Sequence, residues 1–272
     1  MAPTVRAACS VVSPRGRPYR ENPAITAFYE DLLTPFGVGF DEESLRSGRN
    51  VFHQDLVDNL IDADDDTGSR KPDLIIVTHA LPDVHPFTTV ASHLNMVVGG
   101  GTAKSFSISE QGLAAPFTAL RVAASFQRSG RCEEALVVVL EQATLPESFP
   151  FVDSLVDSGV MLVLGSSGGP RVAGVESTTD PQETTRRLAE LAGEDPAGTL
   201  LVLGPWVNAS GLDPAVACQR VGPGSYCTSV WLALADGWRG WHRDYDTVVL
   251  CDTEPRTGEG HFAVLRTDRS VG

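Results

Sequence analysis

Basic residues, long apolar runs and paired cysteines are all scarce in this sequence. Lys and Arg number 21 against 35 Asp and Glu in 272 residues, so the formal net charge is −14. Phosphate contacts need clustered cations, and this balance therefore excludes nucleic acid and anionic membrane surfaces as partners. No apolar run approaches the roughly 18 residues of a membrane span, and no secretory signal pattern is found. The five cysteines are scattered without a close pair, which predicts reduced thiols and a cytoplasmic location.

Histidine is also scarce, and its distribution is uneven. The chain has six histidines, and none lies between His93 and His242. His79, His85 and His93 are close enough in sequence to raise the question of a zinc site. We expect them at a strand end, before a proline and on a helix, which does not bring three ligands to one centre. The sequence therefore predicts neither a metal nor a cofactor.

Apolar residues make up 42% of the chain and charged residues 21%, a balance typical of a globular protein. Short apolar runs alternate with stretches in which apolar residues have helical spacing. In the first part of the chain this pattern predicts strands at 5–12, 74–78, 103–109, 134–140 and 160–164, and helices at 25–33, 89–98 and 116–126. Such an alternation predicts an α/β fold.

A similar order of elements follows residue 170. Strands are predicted at 171–175, 200–203, 247–251 and 262–265, and helices at 213–221 and 228–238. The run at 73–77 matches the run at 199–203 in residue type, and 135–139 matches 247–250. This loose repetition predicts two related α/β halves, 1–170 and 171–272, within one compact unit.

One short pattern resembles a catalytic turn of another kind. Residues 165–169 fit the Gly-x-Ser-x-Gly pattern of a hydrolase nucleophile turn. That turn has to lead into a helix, whereas residues 170–175 have the composition of another strand. We therefore interpret 165–169 as a turn between strands.

Several motifs resemble one family when they are taken in order. Residues 9–16 resemble its opening Val-Ser-Pro-x-Gly segment, 28–33 its first helix, and 107–112 the turn that carries its nucleophile. Residues 157–164 resemble the strand that ends its first half, and 207–211 its Val-Asn-Ala-His-Gly segment. The chain resembles the ketosynthases of the thiolase superfamily, and within them the chain-length factors of type II polyketide synthases. The resemblance implies duplicated α/β halves in five layers, αβαβα. At 272 residues the chain is short for that family, which predicts a shortened second half.

In a condensing ketosynthase, a cysteine on that turn takes the acyl chain as a thioester. Here Gln111 stands at the corresponding position after Glu110, as in the Glu-Gln pair of chain-length factors. A neutral amide cannot form the thioester. The register leaves Gly112 and Leu113 as alternatives, and neither carries a nucleophile.

The same enzymes use two histidines to assist decarboxylation and to hold the developing enolate oxygen. Ser210 stands where the first of them would be, and the second would fall near residues 222–226, where no histidine occurs. The resemblance therefore implies a subunit that does not catalyse condensation by itself.

The resemblance also implies two protein partners. A Cys-bearing ketosynthase would complete a heterodimer, and an acyl carrier protein would deliver acyl intermediates for polyketide or polyene biosynthesis. The silent subunit would shape the acyl tunnel, with candidate residues Thr89, His93, Met96, Val97, Glu110, Gln111, Gly112 and Leu113. The strand that pairs across the dimer would comprise Ala103, Lys104, Ser105, Phe106, Ser107, Ile108 and Ser109. Because carrier proteins are acidic, a chain of charge −14 would leave their docking to the partner.

A second hypothesis is a carrier-protein-dependent acyltransferase that uses a serine in place of the cysteine. Ser109, Ser210 and Ser225 are the hydroxyls near the inferred pocket, but no histidine adjoins them in sequence to act as the base. Cys218 and Cys227 lie near the corresponding turn of the second half. We expect both thiols to be buried in apolar packing.

Overall fold

The structure is a computed structural model that describes residues 2–64, 66, 70–146 and 155–267. The first part of the chain forms β1 (Thr4–Val12), α1 (Pro23–Leu33), α2 (Glu42–Ser47), α3 (His53–Ala63), β2 (Leu74–His79), α4 (Val90–Val97), β3 (Lys104–Ile108), α5 (Ala114–Arg128), β4 (Ala135–Glu141) and β5 (Ser158–Gly165). The second part forms β6 (Arg171–Thr178), α6 (Pro181–Glu194), β7 (Thr199–Leu203), β8 (Ala217–Arg220), α7 (Ser229–Asp244), β9 (Thr247–Thr253) and β10 (Gly260–Arg266). A single 3₁₀ turn, Thr34–Phe36, follows α1.

The strands form a ten-stranded sheet in the order β3-β2-β4-β5-β1-β6-β10-β9-β7-β8. The two halves of this sheet meet where Thr4 of β1 pairs with Arg171 of β6. Read outward from that junction, β1-β5-β4-β2-β3 and β6-β10-β9-β7-β8 have the same order strand for strand. The predicted α/β fold is confirmed, and the repeated order agrees with a duplicated unit. The boundaries assigned to the two halves stay a prediction.

Three apolar clusters lie on the faces of the sheet, because alternate residues of a strand point to opposite faces. On β4, Val137 and Val139 join a central cluster, whereas Leu136 and Val138 join an outer one. The central cluster contains α5 and α7, which contact strands of both halves. Helices α3 and α4 cover the outer face of the first half, and α6 covers that of the second.

One predicted helix is wrong. Residues 213–221 begin with a turn, in which the backbone N of Ala215 donates to Asp213 Oδ1 at 2.8 Å, and continue as β8. Strand β8 pairs in parallel with Leu200–Leu203 of β7. This pairing joins segments that are distant in sequence, so the local spacing of apolar residues does not reveal it. Residues 204–216 between the two strands contain no helix, unlike the corresponding connection in the first half.

The C-terminal end of α7 and three further helices also differ from prediction. Helix α7 continues past 238 to Asp244, and its last turn holds His242 and Arg243, which suit the C-terminal end of a helix dipole. Helices α2, α3 and α6 were not predicted. The sequence does carry a start signal for α6, because Asp180 accepts hydrogen bonds from two backbone amides of its first turn and Pro181 follows.

The connection between β5 and β6 is a bend followed directly by a strand. The interpretation of residues 165–169 as a turn, rather than as a nucleophile motif, is therefore confirmed. Among the described residues, no helix combines the length and the apolar character that a membrane span requires.

Candidate functional site

A sharp turn connects β3 to the central helix α5. The strand ends at Ile108 and the helix begins at Ala114, and we call residues 109–113 the elbow. Within it, Glu110 has a φ of 60° and Gly112 a φ of 51°, both in the left-handed region. A non-glycine residue in this region costs free energy and persists where the surrounding structure fixes the backbone. The elbow is therefore a constrained turn and a candidate site.

None of the three residues proposed for the nucleophile position can act as a nucleophile. Gln111 is exposed, and its Oε1 accepts a hydrogen bond from Thr118 Oγ1 at 2.8 Å. Gly112 has no side chain, and Leu113 is buried. The conclusion that this turn carries no thiol therefore holds for each of the three registers.

The carboxylate of Glu254 lies against the N-terminus of α5. Its Oε2 is 3.5 Å from the backbone N of Leu113 and accepts a hydrogen bond from the Tyr226 hydroxyl at 2.5 Å. Its Oε1 is 3.2 Å from Arg256 Nε. A Cβ added at Gly112 would lie 2.6 Å from Glu254 Oε2, so this close approach requires glycine. The end of α5 that favours an anion is thus filled by a carboxylate of the chain itself.

A second buried carboxylate holds the turn before α7. Glu141, the last residue of β4, accepts hydrogen bonds from the backbone N of Tyr226 at 2.9 Å, from the backbone N of Cys227 and from Thr228 Oγ1 at 3.3 Å. Burial raises the pKa of Glu141 to about 7, although the backbone bonds oppose that rise. Glu141 of the first half therefore supports α7, and Glu254 of the second half supports α5.

Asp252, near the end of β9, adds a third carboxyl to this region. Burial raises the pKa of Asp252 to about 7, and the charges of Glu141 and Glu254 act in the same direction. The hydroxyl of Ser229 opposes this rise. The junction between the two central helices is consequently a buried acidic cluster, which we define as Glu141, Asp252 and Glu254.

Two histidines from outside the long histidine-free segment lie in the same region. His261 of β10 contacts the ring of Phe117 of α5, with centroids 5.6 Å apart. His79 ends β2, and the charge of Glu110 on the elbow acts on its pKa, which burial lowers overall. The gap between residues 93 and 242 thus does not keep histidines away from the elbow. Within the described part of the chain, neither ring forms a hydrogen bond with an elbow residue.

The three candidate serines are not activated. Ser109 and Ser210 are exposed, and Ser225 is buried. The backbone N of Ser210 donates to Asn208 Oδ1 at 2.9 Å in a local turn. Over the residues that the structure describes, none of the three hydroxyls is hydrogen-bonded to a histidine or carboxylate, which is the contact that would make it a nucleophile.

The predicted tunnel residues are distributed over different surroundings. Thr89 helps to line a cavity of about 430 Å³ between α1, α4 and strands β2 and β3. Met96 and Val97 are 68% and 52% exposed, and His93 is tied to α3 by a 2.7 Å contact from its Nε2 to Asp58 Oδ1. Elbow residues 110–113 are not part of the cavity wall.

Strand β3 forms one edge of the sheet. The backbone N of Lys104 donates to Asp73 O at 2.9 Å, so the alternate residues Lys104, Phe106 and Ile108 direct their backbone groups toward β2. The backbone groups of Ser105 and Ser107 point to the outer side, where no described strand pairs with them. The predicted strand 103–109 is thus observed as Lys104–Ile108, and its pairing with a partner stays a prediction.

The cysteines offer no reactive thiol at the site. Cys227 is buried, and burial raises the pKa of its thiol well above the usual value. Cys218 is exposed on edge strand β8, so the expectation that both thiols are buried is wrong for this one. Across the described ranges, no group of three or more His, Cys, Asp or Glu side chains could hold a metal ion.

The fold is thiolase-like and is related to that of condensing enzymes. The chain superposes on 3-oxoacyl-(acyl carrier protein) synthase III, FabH, of Pseudomonas aeruginosa with a TM-score of 0.66 at 14% identity, covering 98% of each chain. Two OleA variants from Xanthomonas campestris give TM-scores of 0.65 at 15% identity and 0.67 at 14% identity, again covering 98% of each chain. No protein-family model and no curated protein matches the sequence. At these identities the likeness establishes the fold alone.

Proposed function

We propose that this chain is a catalytically silent, chain-length-factor-like subunit of a type II ketosynthase heterodimer in polyketide or polyene biosynthesis. The elbow carries the proposal. A cysteine nucleophile depends on a helix N-terminus to stabilise its thiolate. Here the elbow offers Gln111, and the carboxylate of Glu254 occupies the N-terminus of α5.

The edge strand β3 supports a partner of similar fold. No strand of the described part of the chain pairs with the outward backbone groups of Ser105 and Ser107, so a second strand can bind them. Met96 and Val97 of the adjacent α4 add exposed apolar surface beside that edge. A pseudo-two-fold pair of sheets requires a matching fold on the other side but not a matching active site. A Cys-bearing ketosynthase meets that requirement.

The arrangement of layers supports the same family. Helices lie on both outer faces and between the two halves of the sheet, an αβαβα order that is shortened by the missing helix between β7 and β8. The charge of −14 favours docking of an acidic acyl carrier protein on the partner rather than on this chain. The serine acyltransferase hypothesis has less support, because within the described residues no histidine or carboxylate forms a hydrogen bond with the hydroxyl of Ser109 or Ser210.

Co-expression with a Cys-bearing ketosynthase tests the proposal. We expect the two chains to purify together, and Ser107→Pro to abolish this association by removing an outward backbone N–H. Ser107→Ala is the matched control and should keep the complex. In the assembled complex, Met96→Trp should shorten the product by filling space beside the shared edge.

Two results would overturn the proposal. In the first result, the two chains elute separately under all conditions, and substitutions at Met96 and Val97 do not change the length of the product. The other is an acyl adduct on the isolated chain, seen by intact-protein mass spectrometry and lost with Ser109→Ala or Ser210→Ala. That adduct would establish the acyltransferase hypothesis instead.

A further inference from the structure

The cavity between α1, α4, β2 and β3 combines apolar walls with two histidines. Its volume of about 430 Å³ lies within the range of small-molecule sites. Phe28 and Leu32 of α1 and Val77 of β2 supply apolar surface, and His53 and His79 supply ring nitrogens. Among the described residues, no lysine or arginine lines it. The cavity therefore suits an uncharged, largely aliphatic ligand.

The hydrogen bonding of His79 defines its tautomer. Its Nδ1 is 2.9 Å from the carbonyl oxygen of Leu81. A carbonyl oxygen only accepts, so Nδ1 carries the proton and Nε2 keeps a lone pair. Burial lowers the pKa of His79, which keeps the ring neutral near pH 7. Nε2 of His79 is thus a hydrogen-bond acceptor.

His53 presents the complementary nitrogen. Its ring is 2% exposed and its centroid is 4.8 Å from that of His79. Its Nδ1 is 3.9 Å from Asp83 Oδ2, too far for a hydrogen bond, and its buried Nε2 has no partner among the described residues. A neutral ring without a hydrogen bond at Nδ1 is free to carry its proton at Nε2. A buried polar atom left in this way costs stability unless a ligand satisfies it.

We propose that this cavity binds an aliphatic chain carrying a hydroxyl group, which donates to Nε2 of His79 and accepts from Nε2 of His53. A hydroxyl satisfies both nitrogens, whereas a ketone oxygen can only accept and would leave His79 without a donor. A carboxylate is disfavoured, because the cavity lacks a cation and Asp83 adds negative charge. That the chain is a hydroxyacyl intermediate rests on the proposed function.

The position of the cavity fits such an intermediate. Ser105, Phe106 and Ser107 of β3 form part of its wall, and the same strand leads directly into the elbow. Thr89 at the start of α4 is the predicted tunnel residue that lies on this wall. An acyl chain that reaches the shared edge of a heterodimer would therefore meet the two histidines.

The test uses the isolated chain and two probes that differ in one hydroxyl. Calorimetric titration should give 3-hydroxyoctanoyl N-acetylcysteamine thioester roughly tenfold tighter binding than octanoyl N-acetylcysteamine thioester, since one neutral hydrogen bond corresponds to about this factor. His79→Phe takes away the acceptor for the hydroxyl proton but leaves the donor at His53, so it should reduce the preference and keep weak binding of both probes. His242→Phe, on α7 and away from the cavity, should leave the preference unchanged.

Equal binding of the two probes, binding of neither, or an undiminished preference in His79→Phe would overturn the inference. If His79→Phe does not fold, the comparison of the two probes on the unchanged chain decides. Co-purification with the ketosynthase is measured in parallel. Intact co-purification without probe preference overturns this inference alone, and probe preference without co-purification overturns the proposed function alone.

Discussion

Glu254 gives the elbow its electrostatic character. A helix N-terminus stabilises an anion, such as a ligand phosphate or a cysteine thiolate. Here the anion at the N-terminus of α5 is the carboxylate of Glu254, which also contacts Tyr226 and Arg256. The positive φ and missing side chain of Gly112 allow this carboxylate to approach. Replacing Gln111 by cysteine would therefore leave the carboxylate of Glu254 beside the new thiol.

Gln111→Cys tests this electrostatic argument. In a Cys218→Ser background, which removes the exposed thiol, we expect the introduced thiol to keep a pKa at or above the ordinary value of about 8.5. Alkylation rates with iodoacetamide, followed by intact mass between pH 6 and 9, report that pKa. Adding Glu254→Gln should lower the pKa by about one unit and raise the rate at pH 7 several-fold. Fast alkylation of the first variant at pH 6 would contradict the argument.

Some features of the site can be predicted from the sequence, whereas contacts between residues distant in sequence cannot. The sequence shows that residues 111–113 include no cysteine, and the structure places these residues on the elbow. The sequence does not show that His79 and His261 lie near the elbow, because strand order and not chain order determines which side chains are neighbours. Glu141 and Glu254 were likewise not predicted, since a carboxylate at the end of an apolar strand resembles an ordinary strand terminus.

At the level of elements, the two central helices are supported reciprocally. Glu141 ends β4 and binds the turn before α7, and Glu254 directly follows β9 and contacts the first turn of α5. Since β4 and β9 hold equivalent places in the repeated strand order, this exchange follows the duplication. Each half thus positions the helix of the other.

Substitution of Glu141 measures the strength of that support. Glu141→Ala leaves the amides of Tyr226 and Cys227 and the hydroxyl of Thr228 without their acceptor, and we expect a loss of about 3 kcal/mol or more in the free energy of unfolding. Glu141→Gln keeps one acceptor oxygen and should lose about 1 kcal/mol. Urea unfolding followed by tryptophan fluorescence compares the two variants. Equal losses would mean that the hydrogen bonds contribute little.

Elements buried on both faces were predicted best. Strands β2 and β4 are continuous apolar runs, and their observed bounds differ from the predicted ones by one residue. Strand β8 is short and exposed at the edge of the sheet, so nothing local distinguishes it from a helix, and its pairing with β7 decides its conformation. Helix α3 buries Leu56, Val57 and Leu60 at helical spacing, so the sequence does contain a signal for this helix.

For the whole molecule, the alternation of apolar residues along each strand creates three clusters on two half-sheets. The central cluster is enclosed by both halves, and the acidic cluster lies at its end, where water is excluded. Burial therefore determines the direction of the pKa shifts of Glu141 and Asp252. The consequence is a stability that depends on pH in the opposite sense to acid denaturation.

The pKa values of Glu141 and Asp252 are both raised to about 7 by burial, whereas the unfolded chain loses these protons near pH 4. Between these values the folded protein binds more protons than the unfolded chain, so their stabilising contribution is complete below about pH 4 and is lost as pH rises to about 7. Each carboxyl should lower the free energy of unfolding by up to about 1.4 kcal/mol per pH unit. Urea titrations at pH 5, 6, 7 and 8 and constant ionic strength measure the slope. Glu141→Gln combined with Asp252→Asn should flatten it, and because both proteins share all other titrating groups, parallel curves would contradict the raised pKa values.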